Sequence, residues 1–339
     1  MKFVFRFKSL IKKYLFLSLK ILCEIWIKPT TIDRVYIFVT EEQSVWILGA
    51  IAREIKDSMK FEVVIGNNIN EIRNNDLILF MHYETAGYYV LRNFNRLRNP
   101  YLIWFTHPRR SCDLQDVFFK ALFDQSFEVL ASCSKYSKEI NDSVGRKVAK
   151  FVPYGVDKEL FYFSPAQNSD RLKVGISSNY YLRKNPTLLE KFIKNYRNID
   201  FVFAGKGWTE NTDWIKYDNY YNVKPTYQEY PAFYQSIQML LNCSELEGGP
   251  IGVVESLSCG TPVFTSRVGL VEDVVQEGIN GNMFDLNDDM SDIFSLFEET
   301  LQIQCSKSIS ESVTQYTWRN LAKEITNLLE EYNASIYTY

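Results

Sequence analysis

The sequence is short of the residues that build metal and redox centres. Only two histidines, His82 and His107, occur among 339 residues, so a three-histidine metal site is excluded within one chain. The cysteines Cys23, Cys112, Cys133, Cys243, Cys259 and Cys305 are scattered, with no C-x-x-C pair and no histidine at a ligand spacing. That pattern argues against zinc and fits a reduced, cytosolic setting. Net charge is only −3, so no overall field recruits nucleic acid. No run of about 18 uncharged apolar residues is present, which disfavours a spanning helix. The cleavage pattern of a secretory signal is missing as well. Internal repeats and low-complexity segments are absent.

What remains is globular: 46% hydrophobic, 15% aromatic and 23% charged. The length favours two packed domains. Residues 1–28 stand apart from the rest. They carry Lys2, Arg6, Lys8, Lys12, Lys13, Lys20 and Lys28 against a single acid, Glu24. Lys2, Arg6, Ser9, Lys13, Lys20 and Glu24 fall on one helical face, while Phe5, Leu10, Leu15, Leu17, Leu19, Leu22 and Trp26 cover much of the remainder. The expectation is a basic amphipathic helix on an anionic membrane surface, holding a cytoplasmic protein peripherally on the inner face. The alternative is a helix packed on the protein itself, its lysines merely solvated.

After Pro29, short apolar runs alternate with amphipathic stretches. Strands are expected at Val35–Val39, Phe61–Ile65, Leu77–Met81, Tyr101–Thr106, Val129–Ala131 and Val148–Val152. A polar, turn-rich stretch follows, and the rhythm restarts with strands at Leu172–Ile176, Ile199–Ala204, Met239–Cys243, Pro262–Thr265 and Met283–Asp285. A strongly periodic helix, Trp318–Tyr332, comes last. Such alternation implies parallel sheets covered by helices, an α/β protein with two doubly wound, Rossmann-like domains facing a cleft. The expected division is 29–153, a linker at 154–170, and 171–339 with the terminal helix. Ligands in open α/β sheets bind at the carboxyl ends of the strands, so the loops there carry the chemistry.

The most informative loop runs from Ser244 to Glu255. A buried strand ends, a glycine-rich turn follows, and Pro250 takes the place of a first helical residue. The N–H groups of Ile251 and Gly252 are then unpaired within the helix and, with its dipole, suit a diphosphate. Gly248 and Gly249 admit a ligand close to the backbone. Glu247 precedes the helix, and Glu255 lies just over one turn inside it, where a carboxylate can accept two ribose hydroxyls. A plain strand–turn–helix with a capping acid is the competing reading.

The wider window, from Glu247 through Cys259-Gly260-Thr261-Pro262-Val263, resembles the signature of the retaining glycosyltransferases of family 4, in which two glutamates are separated by seven residues. Four further stretches resemble that family in the same order: Pro153-Tyr154-Gly155-Val156-Asp157 through Phe161, Ala204-Gly205-Lys206-Gly207, Gly269 to Glu272 with Gly278-Ile279-Asn280-Gly281, and Tyr316-Thr317-Trp318. The resemblance covers about residues 30–335 and implies a GT-B fold, transfer of a hexose-type sugar with retention, and no metal. No cofactor is implied beyond a nucleotide diphosphate sugar as co-substrate, with a lipid-linked or saccharide acceptor in cell-surface polysaccharide synthesis. Carried over by position, Glu247 contacts the donor sugar, Glu255 the ribose, and Gly205 belongs to the donor loop. Lys184 matches the lysine that stabilises the leaving diphosphate. The family's arginine falls on Ser177 or Ser178, so Arg183 is a candidate substitute. His107 matches a histidine that touches the donor sugar. Arg109 and Arg110 are candidates for an anionic acceptor, and His82 is a further acceptor candidate on position alone.

Two departures stand out. Glu42-Gln43 replaces paired glycines after the first strand, where side chains restrict close backbone approach. Asp288-Asp289 resembles half of a carboxylate metal pair but sits in a polar loop, where capping is the simpler role. The competing functions are a nucleotide-sugar epimerase, disfavoured by the shortage of acid–base groups, and a non-catalytic sugar-nucleotide-binding scaffold, to which the lost arginine and glycines would point.

Overall fold

Buried β-branched and aromatic runs build both sheets. The computed structural model describes residues 10–15, 17, 31–44, 47–92, 99–110, 112–165 and 171–336. By its internal contacts the chain divides into two compact units, one of residues up to Pro153 together with those from Trp318, the other Tyr154–Thr317.

In the first unit, β1 (Arg34–Phe38), β2 (Glu62–Gly66), β3 (Asp76–Phe80), β4 (Tyr101–Phe105), β5 (Glu128–Ala131) and β6 (Ala149–Phe151) form one parallel sheet in the order β2-β1-β3-β4-β5-β6. Strands β1 and β3 are buried throughout, as sheets covered on both faces require. Helices α1 (Ile47–Ser58), α2 (Tyr83–Arg92), α3 (Val117–Asp124) and α4 (Ser134–Val144) make the crossovers. At the amino ends of β1 and β3, Arg34 donates twice to Asp76, at 2.6 Å each, both side chains buried. That pair joins the two strands at the end away from the loops that carry function.

The second unit repeats the plan. Strands β7 (Leu172–Ser177), β8 (Ile199–Ala204), β9 (Tyr220–Val223), β10 (Met239–Asn242), β11 (Val263–Ser266) and β12 (Gly281–Phe284) pair in the order β12-β11-β10-β7-β8-β9, all parallel. The first and fourth strands of the unit are neighbours, so the order reverses between β7 and β10. In open α/β sheets such a reversal is where ligands bind, at the carboxyl ends of the strands. Around the sheet lie α5 (Pro186–Asn195), α6 (Tyr230–Gln235), α7 (Ile251–Ser258), α8 (Val271–Val274), α9 (Met290–Thr300) and α10 (Lys307–Glu311). Phe192, Phe203, Phe264, Phe297 and the stacked pair Trp208–Trp214, centroids 5.7 Å apart, fill its core.

Three expectations are corrected. The terminal helix α11 (Trp318–Ile336) does not stay with the second domain but packs on α1 of the first unit. Asn333 fixes it there, accepting from the Ile32 N–H and donating to its carbonyl at 2.8 Å each. The segment expected as a linker is built into the second unit: Tyr154, Val156 and Phe161 are buried, and Val156 bridges Thr317. Pro250 is the N-cap and Ile251 the first residue of α7. Helix α2, helix α3, strand β9 and helix α9 escape the periodicity reading altogether.

Most of the expected amphipathic segment 1–28 lies outside the described residues. Residues 10–15 and 17 are helical, with Leu10, Ile11, Tyr14 and Leu15 exposed. Among the described residues no helix is long and apolar enough to cross a membrane.

Candidate functional site

The reversal between β7 and β10 sets two loops side by side. The loop after β7 ends in a helical turn, Leu182–Lys184, and is bound to the loop after β10 by the Glu245 N–H, which donates to the Arg183 carbonyl at 2.7 Å. Both cations of this turn reach Glu247. Arg183 Nη1 donates to Glu247 Oε1 at 2.7 Å and to the Leu246 carbonyl at 2.9 Å, and Lys184 Nζ closes on the same Oε1. Glu247 is buried, and the Lys184 side chain is only 13% exposed against 35% for Arg183. Charge-assisted bonds of this kind are strong and hold geometry. The structure thus brings together three of the residues expected at the site, Arg183, Lys184 and Glu247.

Ser177 has another task. Its hydroxyl lies 2.8 Å from that of Tyr234 on α6, and the Tyr234 hydroxyl donates to Glu255 Oε2 at 2.7 Å. Glu255 is buried on α7, and burial pushes its carboxyl up to about 7 while the Tyr234 hydrogen bond opposes the shift. Helix α7 starts at Ile251, so the N–H groups of Ile251 and Gly252 have no partner within the helix. A Cβ at Gly252 would stand 3.1 Å from both the Ser177 and Tyr234 hydroxyls. The helix start is thus packed directly on the hydroxyl pair that supports Glu255.

The glycines of this region answer to protein neighbours. A Cβ on Gly249 would lie 2.1 Å from the Tyr154 ring, and one on Gly205 would lie 2.1 Å from the Ser178 carbonyl. The Gly248 carbonyl accepts from the Leu270 N–H at 3.1 Å. Gly249 therefore accommodates Tyr154, whose partner in this packing could not be read from local sequence. Lys158 donates to Ser258 at 2.7 Å beneath the end of α7, and burial lowers its amine to about 8. Asp288 accepts from the Asp285 N–H at 2.8 Å, a local turn bond in keeping with a capping role.

The remaining candidates belong to the first unit and form their own group. His82, after β3, is buried; Arg109 Nε donates to its Nε2 at 3.1 Å and the Glu84 N–H to its Nδ1 at 3.2 Å. A neutral imidazole has one acceptor nitrogen, so these two donors compete. Burial, with Arg109 and His107 close by, drives its pKa down to about 3 and keeps it neutral. Arg110 is committed elsewhere, donating to Asp113 at 2.9 Å and lying 3.9 Å from Glu84. Among the described residues Arg109 has no carboxylate within ion-pair distance, so the two arginines are not equivalent. His107, half-buried after β4, joins this group. In place of the paired glycines, a helical turn Glu41–Ser44 follows β1. Gln43 holds it by accepting from the Thr40 N–H at 3.1 Å and donating to Thr85 at 3.0 Å.

Tyr234 and Ser177 are the site residues that sequence reasoning missed. A serine in the place of an expected arginine was the one visible sign that β7 ends on a different network.

Known proteins share parts of this sequence and its fold. Residues 157–316 match the family described as Glycosyl transferases group 1. An uncharacterized glycosyltransferase of Methanocaldococcus jannaschii, MJ1178, is 24% identical over 287 residues, covering 79% of this chain and 78% of that protein. Among solved structures, Anabaena HepE in complex with UDP and glucose superposes with a TM-score of 0.70 at 14% identity, over 88% of this chain and 99% of that one. The lipopolysaccharide outer core galactosyltransferase WaaB gives 0.67 at 10% identity over 88% and 99%. Two six-stranded parallel sheets flanked by helices are the architecture of the GT-B glycosyltransferases. Residues 157–316, just under half of the chain, carry its likeness to the group 1 glycosyltransferases.

Proposed function

We propose that the chain is a retaining, family 4 glycosyltransferase that moves a hexose-type sugar from a nucleotide diphosphate sugar to a lipid-linked or saccharide acceptor. The observation that carries the reading is the convergence of Arg183 and Lys184 on Glu247 where the loops after β7 and β10 meet. In this reading the C1–O bond to the diphosphate breaks, negative charge builds on the phosphate oxygen, and the two cations with the N–H groups of Ile251 and Gly252 stabilise it. The acceptor oxygen bonds to C1 on the same face, and its proton passes to the departing phosphate. Glu247 orients the sugar, Glu255 takes the ribose hydroxyls, and His107 keeps the sugar contact that the resemblance implies. No metal is required, because fixed cations supply the charge. The HepE structures hold UDP with glucose and UDP-glucose, which supports a donor of this class.

Arg109, with no carboxylate within ion-pair distance among the described residues, is assigned to an anionic acceptor group such as a lipid phosphate. A basic, apolar N-terminal segment fits attachment to an anionic inner-membrane surface and work in cell-surface polysaccharide synthesis. The exposed Leu10, Ile11, Tyr14 and Leu15 favour that reading over a helix buried on its own protein.

The deciding measurement is nucleoside diphosphate release from a panel of UDP-, GDP- and ADP-sugars, with and without chelator, followed by the anomeric configuration of the product. Turnover of one donor with retention, insensitive to chelator, is expected. Tight binding without turnover or hydrolysis would instead identify a scaffold. Sedimentation with phosphatidylserine vesicles, and not with phosphatidylcholine alone, tests the membrane assignment.

A further inference from the structure

The carboxylate assigned to the ribose is held by a residue that no motif announces. Glu255 lies in a stretch of α7 in which Gly252 through Ser258 are all buried, and among the described residues no cation pairs with it. Its Oε2 receives the hydroxyl of Tyr234, itself fully buried against Phe161, Tyr230 and Phe233. Thr261 donates to the Tyr234 carbonyl at 2.8 Å, so the ring is fixed at its backbone as well as its tip. Ser177, the last residue of β7, donates to the same phenolic oxygen. No described residue donates to the other oxygen, Oε1.

We propose that Tyr234 is a positioning residue for the donor nucleotide: backed by Ser177, it fixes Oε2 of Glu255 and leaves Oε1 as the acceptor for a ribose hydroxyl. This rests on the reading of Glu255 as the ribose-side group. The arrangement orders the carboxylate before the ligand arrives, which lowers the entropic cost of binding. It also opposes the upward shift that burial gives the Glu255 carboxyl. The titratable groups around the carboxylate are Tyr230 and Tyr234 on α6, Cys259 at the end of its own helix, and Lys158 beside Cys259. Of these, Tyr234 is the group that hydrogen-bonds the charged form. Because Gly252 packs on the same two hydroxyls, the helix start and the ribose carboxylate share one support.

The test compares the tightest binder among UDP, GDP and ADP with its 2′,3′-dideoxy counterpart, by calorimetry from about pH 5.5 to about pH 9, a window bracketing the pKa near 7. Wild type should prefer the ribonucleotide by about tenfold or more at high pH, with the preference fading as pH falls through about 7. In Tyr234→Phe the midpoint should move up by about one pH unit and the preference at neutral pH should largely vanish. Affinity for the dideoxynucleotide should hold, since the phosphate contacts are untouched. An unmoved midpoint, or an equal loss for both nucleotides, overturns the proposal. Should Tyr234→Phe fail to fold, Ser177→Ala decides by the same criteria, with a smaller upward shift expected. A wild type that does not discriminate against the dideoxynucleotide sinks the ribose reading of Glu255 and the proposal with it. Discrimination in wild type that Tyr234→Phe leaves intact removes the positioning role alone.

Discussion

Arg183 and Lys184, adjacent in sequence, close on one and the same oxygen of Glu247. In the absence of a donor this carboxylate occupies the cations that the proposed mechanism assigns to the diphosphate. Donor binding then exchanges one anionic partner of the cations for another, and the sugar hydroxyls take up the carboxylate that is released.

Glu247→Gln separates binding from turnover. Without the competing carboxylate, the matching nucleoside diphosphate should bind as tightly as to wild type or more so. Turnover should fall by about 10²–10³, since the sugar-side contact is lost. Calorimetry alongside initial rates reads both, and weaker binding with undiminished turnover contradicts the assignment.

The two cations should not count equally. The Lys184 side chain is 13% exposed and that of Arg183 is 35% exposed, so Lys184 acts through less solvent. Lys184→Ala should lower kcat by about 10²–10³ and Arg183→Ala by about tenfold. Equal effects, or a larger one at Arg183, would make the arginine the principal diphosphate contact.

Gly249→Ala is expected to damage folding before chemistry. Its Cβ would fall 2.1 Å from the Tyr154 ring, an overpacking that costs about 1–3 kcal/mol, or a Tm lower by roughly 3–10 °C. Adding Tyr154→Ala should recover part of the loss, making the pair non-additive. Independent effects on Tm in the double variant would show that the ring is not what demands glycine.

His82 gives the first unit an acid limb. Its folded pKa, about 3, lies below the ordinary value of 6.5. Between those limits the unfolded chain binds a proton that the folded chain does not, so stability falls as pH drops from about 6.5 towards 3. His82→Gln should flatten that limb, by up to a few kcal/mol at about pH 4, in denaturant titrations. An unchanged slope would mean that His82 is protonated in the folded protein.

The sheets were legible because strands covered on both faces leave continuous apolar runs, such as Val35–Val39 and Leu77–Met81. The loops that meet at the reversal stood out through Glu247 and Lys184, since loops after parallel strands are where ligand groups collect, but the strand order that joins them did not. Partnerships across long separations were not legible. The amphipathic face of Trp318–Ile336 states that a sheet or helix must cover it, but not that α1 will. Gly249 reads as room for a ligand until Tyr154 is seen against it. Tyr234 reads as one more core aromatic, because its distance to Glu255 is set by the pairing of β10 with β7 and by the packing of α6 against α7.

The return of α11 to the first unit makes the second unit an insertion within the first. On a ribosome, Tyr154–Thr317 can complete its sheet as one uninterrupted stretch, while the earlier-made strands wait, lacking the helix that covers α1 and the Asn333 bonds to Ile32. A fragment ending at Pro153 carries every strand of its sheet and still leaves an apolar face bare. The order of synthesis and the order of completion are therefore reversed: the half begun first is the last to be closed.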